Sequence, residues 1–228
     1  MDRITSPFTQ LLIFLILFGT FSFEDAKAQC FQSGFCAEPI GKFTGVFSVD
    51  QKFLGEADLI SKAFGVTPNL LIMNDFSIPN AIASPLDTAI GRRGTVYFGL
   101  SLLLDELWSM TKGEIAVAGI LAHEFAHILQ FKKGWVSGAV NRELHADYLA
   151  GWYLGQRSYH GPLDITGFAN SLFQRGDYNF GDPQHHGTPA ARRTAMVAGF
   201  NQRAKSLNQA YNGGMLTVLG IQNSLGSS

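Results

Sequence analysis

The strongest hydrophobic pattern of the chain lies at residues 115–129, where apolar side chains occur almost all round the helical repeat. Such a segment is typical of a helix buried in a protein core, because an exposed helix keeps a polar face. Lys132 and Lys133 suit the carbonyl end of a helix, and Gly134 is a suitable C-cap. The pattern therefore predicts a long buried helix that ends just before Gly134.

Weaker patterns in the rest of the chain predict further helices and strands. Short apolar runs bounded by Gly, Pro and Asn predict strands at 69–73, 80–84 and 95–100. Helical periodicity and capping residues predict helices at 53–64, 101–108, 141–150, 162–175 and 188–205. The tail 211–228 is rich in Gly, Asn and Ser, and we expect a loop or a loosely packed end there. No repeat and no long linker divides the chain, so residues 29–228 are expected to form one α+β domain that is mostly helical.

Composition supports a folded domain and excludes one class of partner. Hydrophobic residues make up 46% of the 228 residues, which is enough to build a sizeable core. The net charge of −1 gives no reason to expect a nucleic-acid surface or a basic membrane patch. We therefore expect no nucleic-acid partner, and the sequence leaves the oligomeric state open.

Three polar residues interrupt the predicted buried helix: His123, Glu124 and His127. Positions i and i+4 lie on one face of a helix, so both imidazoles can bind one Zn²⁺ ion. Glu124 is on the same turn, close enough to hold the proton of a water on that metal. Because buried ionisable groups are costly unless they are paired or bind a metal, these side chains need a partner. The alternative is that the spacing arose by chance, as it does for many short motifs.

Two carboxylates follow on the second predicted helix. Glu143 and Asp147 are four residues apart and share a face, and fifteen residues separate His127 from Glu143. That is enough chain for the first helix to end and for the next to return beside it. Two His and one Glu leave the fourth position of tetrahedral zinc open, as in catalytic sites, and Asp147 would then accept a ring N–H from a ligating His. The alternative is a solvated pair of carboxylates beside Arg142.

The run His123-Glu-Phe-Ala-His127 followed by Glu143-Leu-His-Ala-Asp147 resembles the pattern of gluzincin zinc metallopeptidases. It is most similar to the family of the CAAX prenyl protease and the HtpX heat-shock protease, with a second similarity to bacterial neutral zinc metallopeptidases. The segment at 80–85, Asn-Ala-Ile-Ala-Ser-Pro, is similar to that family's Asn-Ala-x-Ala-x-Pro segment, and 95–100 resembles its next strand. The resemblance covers residues 69–155.

The resemblance implies a zincin-like fold and one zinc ion bound by His123, His127 and Glu143, with Glu124 as the general base. It also implies an edge strand that lines the active-site cleft and pairs with extended substrate, formed by Asn80, Ala81, Ile82 and Ala83. The chain departs from the membrane-embedded members of the family in two ways. It has a shorter connection between the motifs, and it lacks their several membrane spans. It looks like a compact, exported relative, and no prenylated substrate is inferred.

The N-terminus has the pattern of a secretory signal peptide, residues 1–28. An apolar run at 11–18 is preceded by Arg3 and followed by Ala26-Lys27-Ala28, which fits cleavage after Ala28. The run is too short for a transmembrane span, so no stable span is expected after cleavage. We expect an exported protein, either periplasmic or secreted. Cys30 also permits a lipid anchor, although the residues before it are a poor approach to a lipidated Cys.

The chain has two cysteines, Cys30 and Cys36, and both lie in the exported part. In an oxidising compartment they could close a small disulfide loop. The alternative is two free thiols in a flexible N-terminal tail.

Two further histidines, His185 and His186, lie in a predicted polar loop. One interpretation places His186 at the cleft, where it would donate a hydrogen bond to the oxyanion of the reaction, and family members with a His before their last helix support it. The alternative is a solvent-exposed pair beside a helix start. Tyr178 and Arg192 are further candidates for the same oxyanion role. His145 faces away from its carboxylate neighbours and is expected to be structural or exposed.

The sequence thus predicts a zinc endopeptidase that acts on a protein or peptide. One alternative is an exported zinc-binding scaffold or regulator without turnover, and another keeps the metal chemistry but hydrolyses something other than a peptide. Glu124 argues against the scaffold, because structural zinc needs no base and closes its fourth position.

Overall fold

The computed structural model describes residues 29–30, 36–75, 80–86, 93–107, 113–135, 137–157, 165–166, 169, 187–202 and 206–225. Its architecture is α+β and mostly helical, as predicted. In chain order the elements are β1 (Gln29–Cys30), β2 (Cys36–Gly41), α1 (Phe47–Phe64), β3 (Asn69–Asn74), β4 (Ala81–Ser84), β5 (Thr95–Gly99), α2 (Leu100–Leu107), α3 (Gly113–Lys133), α4 (Ala139–Gln156), α5 (Pro189–Asn201) and α6 (Leu207–Leu225).

The strands form a mixed sheet in the order β1-β2-β3-β5-β4. β3 and β5 are parallel, with Asn69 opposite Thr95 and Met73 opposite Gly99. β2 and β4 run antiparallel to their neighbours. All five residues of β5 are buried, as expected for an inner strand, whereas β4 lies at an edge among the described strands.

Helix α3 crosses the core. Fourteen of its residues, between Ala116 and Gln130, are buried. It packs against α1, α2 and α4 and also against β4 and β5 of the sheet. Because nearly every face of α3 meets protein, its almost uniformly apolar composition has a direct structural reason.

The end of α3 turns the chain back toward the core. Gly134 has a left-handed φ of 71°, and its N–H donates to the Phe131 carbonyl at 3.2 Å. The Trp135 N–H donates to the Gln130 carbonyl at 3.0 Å. This pair of bonds is a Schellman motif, which favours glycine at its left-handed position. The predicted C-cap at Gly134 is therefore confirmed, and α4 begins five residues later.

Helices α4 and α5 cross with their backbones in contact. A Cβ atom on Gly199 would overlap the Tyr148 carbonyl oxygen, and one on Gly151 would overlap the Met196 carbonyl oxygen. Glycine is thus the residue that this crossing requires on each helix. The close approach brings Arg192 of α5 against α4, next to the candidate site.

Most of the predicted elements are confirmed to within a few residues. α1 ends at Phe64 with Gly65 as its C-cap, as predicted, but begins at Phe47, six residues before the predicted start. At the start of α5, the Thr188 hydroxyl accepts the Ala191 N–H at 3.1 Å and Pro189 occupies the first turn, as the sequence indicated. α5 ends at Asn201, short of the predicted residue 205.

The C-terminal tail is where the prediction of a loop or loose end is wrong. Residues Leu207–Leu225 form a helix of 19 residues. Gly214 is buried in it, and a Cβ there would lie 2.8 Å from ring atoms of both His145 and Tyr148. Glycine in this segment allows close packing against α4. Tertiary packing therefore stabilises a helix whose composition alone favours a loop.

Some predictions fall on residues that are not described. These are the signal peptide at 1–28, most of the helix at 162–175, and the loop with Tyr178, His185 and His186. Among the helices of the described ranges, none has the length and hydropathy needed to cross a membrane.

Candidate metal centre

Helix α3 carries the two histidines and the glutamate of the motif in its buried part. His123 is 9% exposed, His127 7% and Glu124 6%. The i, i+4 spacing places the two imidazoles on one face, edge to face, with ring centroids 4.6 Å apart. Their Nε2 atoms are 3.0 Å apart, so the two nitrogen lone pairs can converge on one point.

Helix α4 returns antiparallel beside α3 and brings a carboxylate to that point. Glu143 Oε2 lies 3.3 Å from His123 Nε2, and Glu143 Oε1 lies 3.4 Å from His127 Nε2. Glu143 is 6% exposed and Asp147 is fully buried. The alternative of a solvated carboxylate pair is therefore wrong, and Arg142 reaches Glu143 only at 4.0 Å.

The three side chains fit the geometry of a metal site. Bonds of ~2.0–2.2 Å at tetrahedral angles separate neighbouring ligand atoms by about 3.3 Å. The two Nε2 atoms are 3.0 Å apart, and each has a different Glu143 oxygen nearby: Oε2 is 3.3 Å from His123 and Oε1 is 3.4 Å from His127. His123, His127 and Glu143 are all buried, and together they could hold a metal ion.

The second ring nitrogen of His123 faces a buried ion pair. His123 Nδ1 lies 2.8 Å from Asp147 Oδ1, close enough for strong charge interaction, although the ring N–H is not well aligned for a hydrogen bond. Arg192 donates from Nε and Nη2 to the two oxygens of Asp147 at 2.8 and 2.9 Å. Asp147 thus lies beside a ring nitrogen of His123, as the motif spacing predicted. Arg192, considered above for an oxyanion role, uses its guanidinium fork on Asp147.

The second ring nitrogen of His127 contacts Gln130, a residue that was not among the candidates predicted from the sequence. His127 Nδ1 donates to Gln130 Oε1 at 2.8 Å. Gln130 is fully buried on the same helix, three residues beyond His127. A single amide in an otherwise apolar run was the available signal, because a buried amide needs hydrogen-bond partners.

His145 is structural rather than exposed, one of the two expectations for it. It is fully buried, its Nδ1 lies 3.1 Å from Gln130 Nε2, and its Nε2 lies 2.9 Å from the Tyr211 carbonyl oxygen. Burial, with a smaller contribution from nearby His127, lowers the pKa of His145 to about 4 against the raising effect of the Tyr211 carbonyl. His145 is therefore neutral at physiological pH.

Three carboxylates give the site its electrostatic character. Burial alone would lower the pKa of His123, but Asp147, Glu143 and Glu124 outweigh it and raise that pKa to about 10. The pKa of Glu124 is also raised, chiefly by burial and further by Glu143, against the lowering effect of both histidines. A cation bound at the Nε2 atoms would replace the proton on His123 and would favour ionised Glu124.

Strand β4, predicted to bind substrate, packs against α3 and lies at the sheet edge. The Gly99 N–H of β5 donates to the Asn80 carbonyl at 2.9 Å. Hydrogen-bonded and non-hydrogen-bonded pairs alternate in an antiparallel ladder, so Ile82 also bonds toward β5. The backbone groups of Ala81 and Ala83 then point to the other side. The Ala81 N–H already donates to the Asn80 side chain at 2.9 Å.

The comparisons with known proteins do not extend this picture. No family model matches the chain, and neither the curated proteins nor the solved structures give a match. The resemblance to gluzincins therefore rests on the sequence motifs alone.

Proposed function

We propose that this protein is a zinc-dependent endopeptidase. The observation that carries the proposal is the convergence of three buried side chains, His123, His127 and Glu143, each of which offers one ligand atom within 4.8 Å of the others. Two imidazoles and one carboxylate leave one tetrahedral position free, which is typical of catalytic zinc.

Zinc is the proposed metal because of the ligand types. Mg²⁺ and Ca²⁺ prefer sites made of oxygen atoms, whereas imidazole nitrogen suits Zn²⁺ and other late transition metals. When bound here, zinc would lower the pKa of a coordinated water to about 7 and polarise the scissile carbonyl.

Glu124 has the properties of a general base for this reaction. It follows a ligand directly in sequence, it is buried, and its pKa is raised from the ordinary value for a glutamate. A raised pKa brings a carboxylate closer to the pH at which a base works best. Glu124 would take a proton from the attacking water and pass it to the leaving amine.

The proposed substrate is an extended stretch of protein or peptide beside β4. The outward backbone groups of Ala83 could form main-chain hydrogen bonds with it, as in other cases of strand addition. Main-chain bonding does not depend on side-chain identity, so selectivity would come from other contacts.

The proposal includes export with loss of residues 1–28. Strands β1 and β2 place the Cα atoms of Cys30 and Cys36 opposite each other, which suits the disulfide considered above. Intact-mass measurement of protein from the periplasm and the medium would test both the loss of residues 1–28 and the disulfide. A chain that begins at Gln29 and is two hydrogens lighter than the dithiol form is expected.

Activity can be tested with zinc-loaded protein, denatured casein and a degenerate peptide library read by mass spectrometry. Cleavage that a chelator removes and zinc restores is expected. The matched variant Glu124→Gln should keep zinc and lose nearly all cleavage. Zinc-loaded, folded wild type that cuts nothing would instead support the scaffold, and equal activity in Glu124→Gln would show that Glu124 is not the base.

A further inference from the structure

We propose that Gln130 and His145 are positioning residues that fix the ring of the metal-binding His127, and that the C-terminal helix α6 completes this arrangement through the Tyr211 carbonyl. The proposal deepens the proposed function and rests on the metal site assigned there. It assigns a role in metal binding to a helix whose residues 207–225 contribute no ligand to that site.

The orientation of the Gln130 amide is set by a group that can only accept. Gln130 Nε2 lies 2.9 Å from the carbonyl oxygen of Arg142, so the nitrogen and not the oxygen must face it. Gln130 Oε1 then faces His127 Nδ1 at 2.8 Å and must accept a proton from it. The Arg142 carbonyl therefore determines on which nitrogen His127 carries its hydrogen.

The second proton of the Gln130 amide is used in the same directional way. It points to His145 Nδ1, 3.1 Å away, which accepts in the neutral ring. His145 Nε2–H then donates to the Tyr211 carbonyl at 2.9 Å. The ring of His145 is also held between Trp135 and Tyr211, with centroid distances of 4.8 and 4.5 Å. Every N–H in this chain of bonds has an acceptor.

The consequence for the metal site is a pre-oriented ligand. With hydrogen on Nδ1, the lone pair of His127 Nε2 faces His123 Nε2 and Glu143. Neutral histidine in water favours hydrogen on Nε2, which would block that position. Partners that set the tautomer of a ligating histidine are worth about 10–100-fold in metal affinity.

Helix α6 offers a remote test, because Gly214 packs on His145. A Cβ at Gly214 would lie 2.8 Å from His145 Cδ2 and 3.0 Å from His145 Nε2. An alanine there must displace the ring or the helix. A Cβ at Gly220 on the same helix would meet nothing within 4 Å, so Gly220→Ala is a matched control.

The experiment measures Zn²⁺ affinity by competition with a chromogenic chelator in five variants. Gln130→Met and His145→Leu remove the hydrogen bonds, and each should weaken zinc binding about 10–100-fold. His145→Asn keeps an acceptor near the Nδ1 position and should bind more tightly than His145→Leu. Gly214→Ala should weaken binding about tenfold, whereas Gly220→Ala should not.

A second measurement separates positioning from general structural support. In the metal-free protein, long-range ¹H–¹⁵N NMR of the imidazoles should show His127 with hydrogen on Nδ1. In Gln130→Met that hydrogen should move at least partly to Nε2, while a merely structural role would leave the tautomer unchanged.

The outcomes are distinct for the two proposals. Unchanged His127 tautomer in Gln130→Met, or equal zinc affinity of Gly214→Ala and Gly220→Ala, overturns the positioning role. Wild-type protein that binds no zinc contradicts the proposed function, and the NMR measurement still decides whether Gln130 sets the His127 tautomer.

Discussion

Raising the pH from about 7 to about 9 should strengthen metal binding about tenfold per pH unit, because His123 must lose a proton before its Nε2 can bind a metal. The structure places three carboxylates around this buried imidazole. Asp147 lies 2.8 Å from Nδ1, Glu143 lies 3.3 Å from Nε2, and Glu124 is the next residue. Burial opposes them, yet the pKa of His123 rises to about 10.

The size of the effect follows from that pKa. A ring with a pKa of about 10 is protonated at pH 7 by a margin of roughly three pH units. At ~1.4 kcal/mol per unit, the displaced proton costs metal binding about 4 kcal/mol at pH 7. The cost shrinks as the pH approaches the pKa, so affinity should rise until about pH 10 and then level off.

Two measurements check this expectation. Chelator competition at several pH values gives the slope of affinity against pH, and calorimetry in buffers of different ionisation enthalpy counts the protons released. About one proton per zinc from His123 is expected at pH 7. The double variant Asp147→Asn with Arg192→Gln removes the leading cause of the raised pKa without leaving a buried charge unpaired, and its slope should be flatter. Affinity that is independent of pH, with no proton released by wild type, would refute the reasoning.

Three further predictions concern stability and substrate binding. Without metal, the folded pKa of His123 lies above its ordinary 6.5, so its stabilising effect is complete below about pH 6.5 and is lost as the pH rises to about 10. Urea denaturation with chelator present should show this fall, and a flat or rising profile would contradict it. Gly199→Ala should destabilise the protein by about 1–3 kcal/mol or more, because its Cβ would overlap the Tyr148 carbonyl, whereas Gly220→Ala has open space and should gain up to about 1 kcal/mol. Equal urea midpoints for Gly199→Ala and Gly220→Ala would contradict this expectation, because they would show that α4 and α5 can move apart without loss of stability. Ala83→Pro removes an N–H that points away from β5 and should raise KM for extended peptides with little loss of stability, while Ile82→Pro should disrupt the β4–β5 ladder. An unchanged KM in folded Ala83→Pro would mean that substrate does not bond to this N–H.

The sequence predicted the elements whose signal is local. The buried helix α3, its end at Gly134 and the Thr188 cap of α5 were all readable, because each depends on residues within one or two turns. The motif spacing also indicated which side chains of α3 and α4 would meet. Spacing along the chain was enough to predict these contacts, because the short connection between the two helices places α4 beside α3.

The hydrogen-bond and ion-pair partners of those side chains were much harder to predict from the sequence. Gln130 gave only the signal of one amide in an apolar run. The pairing of Arg192 with Asp147 joins residues 45 apart, and it depends on the α4–α5 crossing that Gly199 permits. The helical tail was misread because glycine has two uses, at turns and where backbones pack closely, and composition does not separate them.

The sequence by itself determined the chemical types in the centre: two imidazoles four residues apart, a glutamate between them, and carboxylates on the following helix. Tertiary structure decided how these groups are oriented and charged. The His127 tautomer depends on the Arg142 carbonyl through Gln130, and the His123 pKa depends on burial and on charges brought together from two helices. Residue type and spacing are properties of the chain, whereas a hydrogen bond or a Coulomb interaction depends on distances that only packing sets.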